Sequence, residues 1–248
     1  MEGQIDHKSA SQSLWRDGVC TVPDAIEADL LRRCREWLMS DHPALFTDEA
    51  RPEKLFVCPG RFYVALQIKG LFARPEILLP RAIDAILHDS LGPAYVFESW
   101  GLINALPGAA EQHWHRDGGV LFPSHPLEAM LPATAITVAV PLVDLNEKTG
   151  TTGFALGSHR SNEHVESPDY EPYVSLGSAM LWDYRVFHKG MPNRSAAARP
   201  FLYATFCREW WMDTGNHEDQ VRLMACATAV EAMDAGMRKR LARAILTE

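Results

Sequence analysis

At Gly92-Pro93 the spacing of apolar residues in this chain changes period, and that change constrains the fold more than any other feature. Before it, apolar side chains recur at intervals of three and four. Over residues 25–39 the set Ile26, Leu30, Leu31, Cys34, Trp37 and Leu38 makes one buried helical stripe, with Asp24 as the expected N-cap. Residues 75–91 repeat the pattern through Ile77, Leu78, Ala82, Ile83 and Ile86, and Gly92-Pro93 stops it. Upstream, residues 11–23 read as a short helix followed by a strand at 18–22. After Tyr95 the apolar runs become short. Those at 96–105, 134–142 and 202–210, separated by Pro, Gly and Asn, read as strands. Residues 218–246, rich in Ala, Met, Arg and Leu, return to a helical pattern and are expected to pack on the strands or on a second copy in a homodimer.

The strand-rich half carries the chemistry. In Gln112-His113-Trp114-His115-Arg116-Asp117 an H-x-D pair on one strand would put a nitrogen and an oxygen ligand on the same face, because side chains alternate with period 2. A third ligand must come from elsewhere. His188 is the best candidate, since it follows the apolar, aromatic run Trp182-Asp183-Tyr184-Arg185-Val186-Phe187, which reads as a core strand ending in a turn. Two His and one carboxylate form a facial triad that leaves open positions on an octahedral metal, the arrangement of non-heme Fe(II) oxygenases. Arg199 lies on the strand expected next. Its planar guanidinium is a fork for a carboxylate, and the distal carboxylate of 2-oxoglutarate is the obvious guest. Helices first and strands after, with ligands on opposed strands, fit a mostly β fold with flanking helices: a double-stranded β-helix, or cupin-like jelly roll. One domain over 1–248 is expected, with helical support mainly at 1–92 and 218–246 and the jelly-roll core at about 95–211.

Three ordered blocks resemble the phytanoyl-CoA dioxygenase (PhyH) family of Fe(II)/2-oxoglutarate oxygenases, in particular its branch acting on small natural products. Gln112-His113-Trp114-His115-Arg116-Asp117-Gly118 is similar to the family's Q-x-W-H-x-D segment, which makes His115 and not His113 the first ligand. Gly150-Thr151-Thr152-Gly153-Phe154 with Gly157-Ser158-His159-Arg160 is similar to its G-P-T-E-F…P-G-S-H-R stretch, with Thr151, Gly153 and Leu156 as departures. Asp183, Arg185, His188, Gly190, Asn193, Ser195, Arg199 and Pro200, with a later Trp210, resemble its D-x-R-x-x-H-x-G…N-x-S…R-P block. The resemblance implies that His115, Asp117 and His188 bind iron and that Arg199 pairs with the C5 carboxylate of 2-oxoglutarate. It further implies that Gln112 and Thr152 hydrogen-bond the co-substrate. The cofactor set would be Fe(II), 2-oxoglutarate and O2.

Composition narrows the class. With 248 residues, 47% hydrophobic and 23% charged, the chain is long enough for a sizeable single core. A formal net charge of -8 without a basic patch argues against a nucleic-acid partner and against an anionic membrane surface. No apolar run reaches the length of a membrane span, and the first residues have neither a basic region nor an apolar one, so a cytoplasmic setting is expected. Cys20, Cys34, Cys58, Cys207 and Cys226 are widely spaced and read as reduced, mostly buried thiols. Of the remaining histidines, His113 is expected to point away from the metal in a supporting role, His159 to be a scaffold residue in a turn, and His125 to sit on a surface loop at 121–126.

The expected reaction couples decarboxylation of 2-oxoglutarate to succinate and CO2 with oxidation of an unactivated C–H bond, with hydroxylation as the default outcome. Desaturation, epoxidation or rearrangement would need only a different placement of the substrate. Asp117 stands where a halogenase would need a small residue, which argues against halogenation. The segment 55–63 and the loop at 121–123 offer apolar and aromatic surface for a small hydrophobic metabolite, and no basic cluster suits the phosphates of a CoA thioester. Two alternatives use the same scaffold: a cupin-like isomerase or dioxygenase independent of 2-oxoglutarate, and a non-catalytic metal- or ligand-binding protein. Arg199 discriminates against the first, and the complete ligand set against the second.

Overall fold

The computed structural model of the chain describes residues 6–49, 53–122, 125–161, 166–216 and 221–248. Its helices are α1 (His7–Asp17), α2 (Ala28–Asp41), α3 (Pro75–Leu78), α4 (Arg81–Leu91), α5 (Ala227–Glu231) and α6 (Ala235–Arg240). Its strands are β1 (Val19–Val22), β2 (Leu55–Cys58), β3 (Arg61–Ala65), β4 (Gln67–Ile68), β5 (Tyr95–Ala105), β6 (Ala135–Pro141), β7 (Thr152–Phe154), β8 (Ala179–Asp183), β9 (His188–Gly190), β10 (Arg199–Arg208), β11 (Met224–Cys226) and β12 (Ile245–Thr247).

Seven strands form one antiparallel sheet in the order β1-β8-β6-β10-β5-β3-β2. Alternation gives this sheet two unlike faces. One carries Leu102, Leu202, Ala204, Phe206, Val138 and Leu181, which join Leu30, Leu31, Cys34, Leu38, Ile83 and Ile86 of α2 and α4 in the main core. The other carries Arg61, Tyr63, Ile103, Arg199, Phe201, Tyr203 and Trp182, all facing a cavity. Across that cavity lies a second, much shorter ladder of β7 and β9. Phe154 of this ladder packs edge-on against Trp182 of the large sheet, with ring centroids 5.4 Å apart. The architecture is therefore mostly β with flanking helices, as expected, but its two layers are very unequal and its described strands do not close a barrel.

Several local expectations need correction. Asp24 is not the N-cap of α2: it sits in a turn at φ +50°, and the helix begins at Ala28 after Glu27. The pattern over 75–91 is two helices, because Pro80 has no N–H to donate and keeps Leu79 out of the helical conformation, so the chain breaks before α4. Gly92 ends α4 at φ +85°, as its position suggested. Residues 218–246 do not form a continuous helix. Residues 217–220 lie outside the described segments, and beyond them β11 pairs in parallel with β4 and β12, with only the short α5 and α6 between. Pairing with a distant strand has overridden local helix propensity. This tail is tied to the large sheet by Glu98, which is 2% exposed and receives both Arg222 and Arg243. Among the described residues no helix is long and apolar enough to cross a membrane.

Candidate metal centre

The cavity between the two ladders has a volume of about 260 Å³ and is reached past exposed Phe56, His113 and Asn216. His115, Asp117 and His188 meet in it, each offering one ligand atom, and these atoms lie within 4.8 Å of one another. His188 begins β9. His115 is held beside it by an isolated antiparallel bridge, with His115 N–H donating to the His188 carbonyl at 3.0 Å and the reverse bond at 2.9 Å. The segment around His115 is not a regular strand, contrary to expectation. Gln112 explains the departure: its N–H donates to the Gly190 carbonyl, while its side-chain Oε1 accepts the Gly190 N–H at 2.8 Å, where a strand would use a backbone carbonyl.

Each candidate ligand is tied down by its far atom. The Nδ1–H of His115 donates to the His113 carbonyl at 3.0 Å, and that of His188 to the Val186 carbonyl at 3.1 Å. A carbonyl only accepts, so both Nδ1 atoms carry the proton and both Nε2 lone pairs are left for a metal. The Asp117 carboxylate is equally asymmetric. Its Oδ2 accepts from Thr137 at 2.8 Å, from the Trp182 indole at 3.0 Å and from the Tyr203 hydroxyl at 3.0 Å. Its Oδ1 stands 3.5 Å from His188 Nε2. Three donors occupy one oxygen, so Asp117 presents the other as a one-point ligand.

The electrostatics follow from burial and crowding. Burial, then His188, pulls His115 down to about 4, so it is neutral near pH 7. Burial pushes His188 down too, but the Asp117 carboxylate more than offsets this and raises it. Burial would raise Asp117; the two neighbouring imidazoles, His188 first, and the hydrogen bond from Thr137 outweigh that and hold its carboxyl well below the usual carboxylate range.

At one end of the cavity two guanidiniums converge. Arg199 Nη1 donates to the Thr149 carbonyl at 2.7 Å and Nη2 to the Met191 carbonyl at 3.0 Å. Arg61 Nη2 donates to the same Met191 oxygen at 2.8 Å. In register, Arg61 and Arg199 flank Ala105 from opposite sides on one face of the sheet. Burial, then the neighbouring Arg61, pulls Arg199 down to about 9. A guanidinium this hard to deprotonate keeps its charge, so the shift reflects a positive site without a counter-charge. Arg61 was not anticipated. Its one sequence signal is phase: it alternates with Tyr63 on the cavity face, while Phe62 and Val64 enter the main core.

The other anticipated residues fall as follows. Gln112 and Thr152 both line the cavity, and Thr152 of β7 pairs with Gly190 of β9. His113 corrects its expectation. Lying two residues before His115, it shares the alternation of that residue, and its ring lines the cavity rim 5.5 Å from the His115 ring. His159 is a buried scaffold residue whose Nε2 bonds the Trp15 carbonyl at 3.2 Å. His125 caps a turn of 3-10 helix by accepting the Leu127 N–H. Of the apolar segments, Leu55, Phe56 and Val57 line the cavity and Phe62 is core. Phe122 is exposed, and Pro123 and Ser124 lie outside the described residues. All five cysteines are free, three of them buried.

Two imidazoles and a one-point carboxylate, beside buried guanidiniums and between unequal β layers, define the class of non-heme iron oxygenases. Residues 14–201 match the family described as phytanoyl-CoA dioxygenase (PhyH), and the chain belongs to that family. It is a dioxygenase that uses Fe(II), 2-oxoglutarate and O2. Among characterised relatives, "Dioxygenase trt7" of Aspergillus terreus is 26% identical over 79% of this chain and 71% of its own length. "Dioxygenase hkm4" of Aspergillus hancockii is 30% identical over 41% of this chain and 34% of its own length. Among solved structures, the non-heme alpha-ketoglutarate-dependent epimerase SnoN from nogalamycin biosynthesis superimposes with a TM-score of 0.61 at 20% identity, covering 82% of each chain. AviO1 from Streptomyces viridochromogenes Tue57 gives 0.59 at 19% identity, covering 84% of this chain and 97% of its own.

Proposed function

We propose that this dioxygenase oxidises a C–H bond of a small, largely apolar metabolite, with hydroxylation as the outcome, and that His115, Asp117 and His188 hold the iron. The observation that carries the assignment is the way the three ligands are prepared: both Nδ1 atoms and Asp117 Oδ2 are engaged, which leaves two Nε2 atoms and Oδ1 to converge. This donor set suits a ferrous ion with open positions. Iron with 2-oxoglutarate supplies oxidation of a C–H bond by O2, with release of succinate and CO2. Arg199 would hold the C5 carboxylate of the co-substrate, with Gln112 and Thr152 beside its chain.

The protein's own part is positioning and exclusion of water. Trp182, Phe201 and Tyr203 form an apolar wall behind the ligands. Leu55, Phe56, Val57 and Ile103 give the remaining space the character of a site for a hydrophobic body, and Thr205 and Asn216 offer it a few hydrogen bonds. The natural-product setting of SnoN supports a small-metabolite substrate. That SnoN is an epimerase, and that SnoK from the same biosynthesis is a carbocyclase, fits a scaffold in which substrate placement selects the outcome.

The test is succinate release from the iron-loaded enzyme across a panel of apolar metabolites, with products identified by mass. A product one oxygen heavier, formed in step with succinate, supports hydroxylation. A product of unchanged mass or two hydrogens lighter replaces it with isomerisation or desaturation. Undiminished succinate release by Asp117→Ala overturns the iron assignment.

A further inference from the structure

Asn216 is exposed at the cavity mouth, where an amide is ordinarily left to water, yet its side chain is held from three directions. Its Nδ2 donates to the Asp117 carbonyl at 2.5 Å, to Asp213 Oδ2 at 2.8 Å and to the Tyr184 hydroxyl at 3.2 Å. Asp213 fixes the backbone as well, since its Oδ1 accepts the N–H of Gly215 at 2.9 Å and that of Asn216 at 3.0 Å. The Asp117 carbonyl and the Asp213 carboxylate can only accept, so the amide must present its NH2 group to them. Its Oδ1 is the atom left for a guest. Among the described residues no donor meets that oxygen, and a carboxamide held this firmly is an acceptor positioned in advance, beside the candidate ligands.

The position of this acceptor assigns it to the substrate. Tyr203, which bonds Asp117, stands four residues after Arg199 on the cavity face of β10, about 13 Å along the strand. Asn216 bonds the same Asp117 from the tail, well away from Arg199. The groups beside it define the guest. Asp213 is filled by the Tyr184 hydroxyl at 2.6 Å, by two backbone N–H groups and by Asn216 itself, so an ammonium finds no open carboxylate there. Arg222, which bonds the Asp213 carbonyl, is already paired with Glu98, so an anion finds no open cation. A neutral O–H donor is what remains. We propose that Asn216 is a specificity-determining residue whose Oδ1 accepts the hydroxyl of an apolar alcohol. The proposal rests on the reading of the substrate as a small apolar metabolite and adds its polar handle. A ketone at the same carbon would set a lone pair against Oδ1 and be disfavoured. Asn216 orients the substrate here and takes no part in bond cleavage.

The experiment measures binding by calorimetry, without oxygen, to the full chain loaded with Fe(II) and 2-oxoglutarate. Three pairs of probes are compared, each pair differing at a single carbon: borneol and camphor, cyclododecanol and cyclododecanone, 2-decalol and 2-decalone. Each alcohol that binds is expected to do so roughly fivefold to tenfold more tightly than its ketone, the worth of one neutral hydrogen bond. Asn216→Leu keeps the size of the side chain and removes the acceptor. It should weaken the alcohols by roughly the same factor and leave the ketones within about twofold, so that the preference disappears. Alcohol and ketone bound equally by the unaltered chain, or a preference that survives Asn216→Leu, would overturn the proposal and leave the apolar-metabolite reading standing. Equal weakening of both members of a pair would overturn it too, because loss of the bond to the Asp117 carbonyl would then account for the variant. Binding of no member of any pair would bring down the apolar-metabolite reading, and the role of Asn216 with it.

Discussion

Tyr203 donates its hydroxyl to Asp117 Oδ2 at 3.0 Å, on the carboxylate oxygen opposite the one that stands 3.5 Å from His188. The bond comes from the centre of the large sheet and acts on the proposed ligand through orientation. Tyr203→Phe keeps the ring and removes the donor. Because Thr137 and Trp182 still hold the same oxygen, the expected effect is about a tenfold loss of Fe(II) affinity, the low end for groups that orient a ligand. An iron titration followed by the keto-acid absorption measures it. A purely structural role would instead lower the melting temperature and leave the affinity unchanged.

Metal binding should be visible as stability. An ion that binds only the folded chain stabilises it by about 2.7 kcal/mol at a hundredfold excess over its Kd, or roughly 5–10 °C in melting temperature for a chain of this size. Chelator treatment is expected to remove the gain, and Asp117→Ala to abolish it. A metal-induced shift in Asp117→Ala equal to that of the unaltered chain would place the ion elsewhere.

How much of this was legible in the sequence depends on what each residue buries. β5, β6 and β10 could be read from their apolar runs because each puts a full face into the main core. That His115, Asp117 and His188 form one metal-capable cluster could be read because the spacing of the first two and the isolation of His188 after an apolar run are local features. The groups holding Asp117 could not. Thr137, Trp182 and Tyr203 look like ordinary strand residues until register brings β6, β8 and β10 side by side. Arg61 was hidden for the same reason, since its relation to Arg199 passes through Ala105 of an intervening strand. The tail was misread because its Ala, Met and Leu residues favour a helix locally, whereas its burial comes from pairing with β4, more than a hundred residues earlier.

Gly150 stands at φ +71°, where an added Cβ would also lie 2.3 Å from the Pro192 carbonyl oxygen. Gly150→Ala must therefore shift the backbone that Arg199 reaches past. The expected outcome is a KM for 2-oxoglutarate raised about tenfold with kcat changed far less, together with a stability loss of about 1 kcal/mol or more from the disfavoured conformation. Steady-state kinetics at saturating substrate separate the two parameters. An unchanged KM would mean that Arg199 is placed independently of this turn.

Glu98 tests what holds the tail to the sheet. Its carboxylate takes Arg222 at 2.7 Å and also Arg243, and it accepts the Asp213 N–H at 2.9 Å. Glu98→Gln keeps the shape and leaves two guanidiniums facing a neutral group. Those arginines are 27% and 28% exposed, so water relieves part of the penalty, and the expected loss is about 2 kcal/mol, below the range for a wholly buried pair. For a chain of this length that corresponds to a melting temperature lower by about 5 °C. The effect should extend weakly to the cavity, because Asp213 holds the Tyr184 hydroxyl at 2.6 Å and Asn216 at 2.8 Å, and both of those residues line it. Thermal unfolding checks the first part and the substrate KM the second. A variant as stable as the unaltered chain would show that strand pairing of β11 with β4 alone secures the tail.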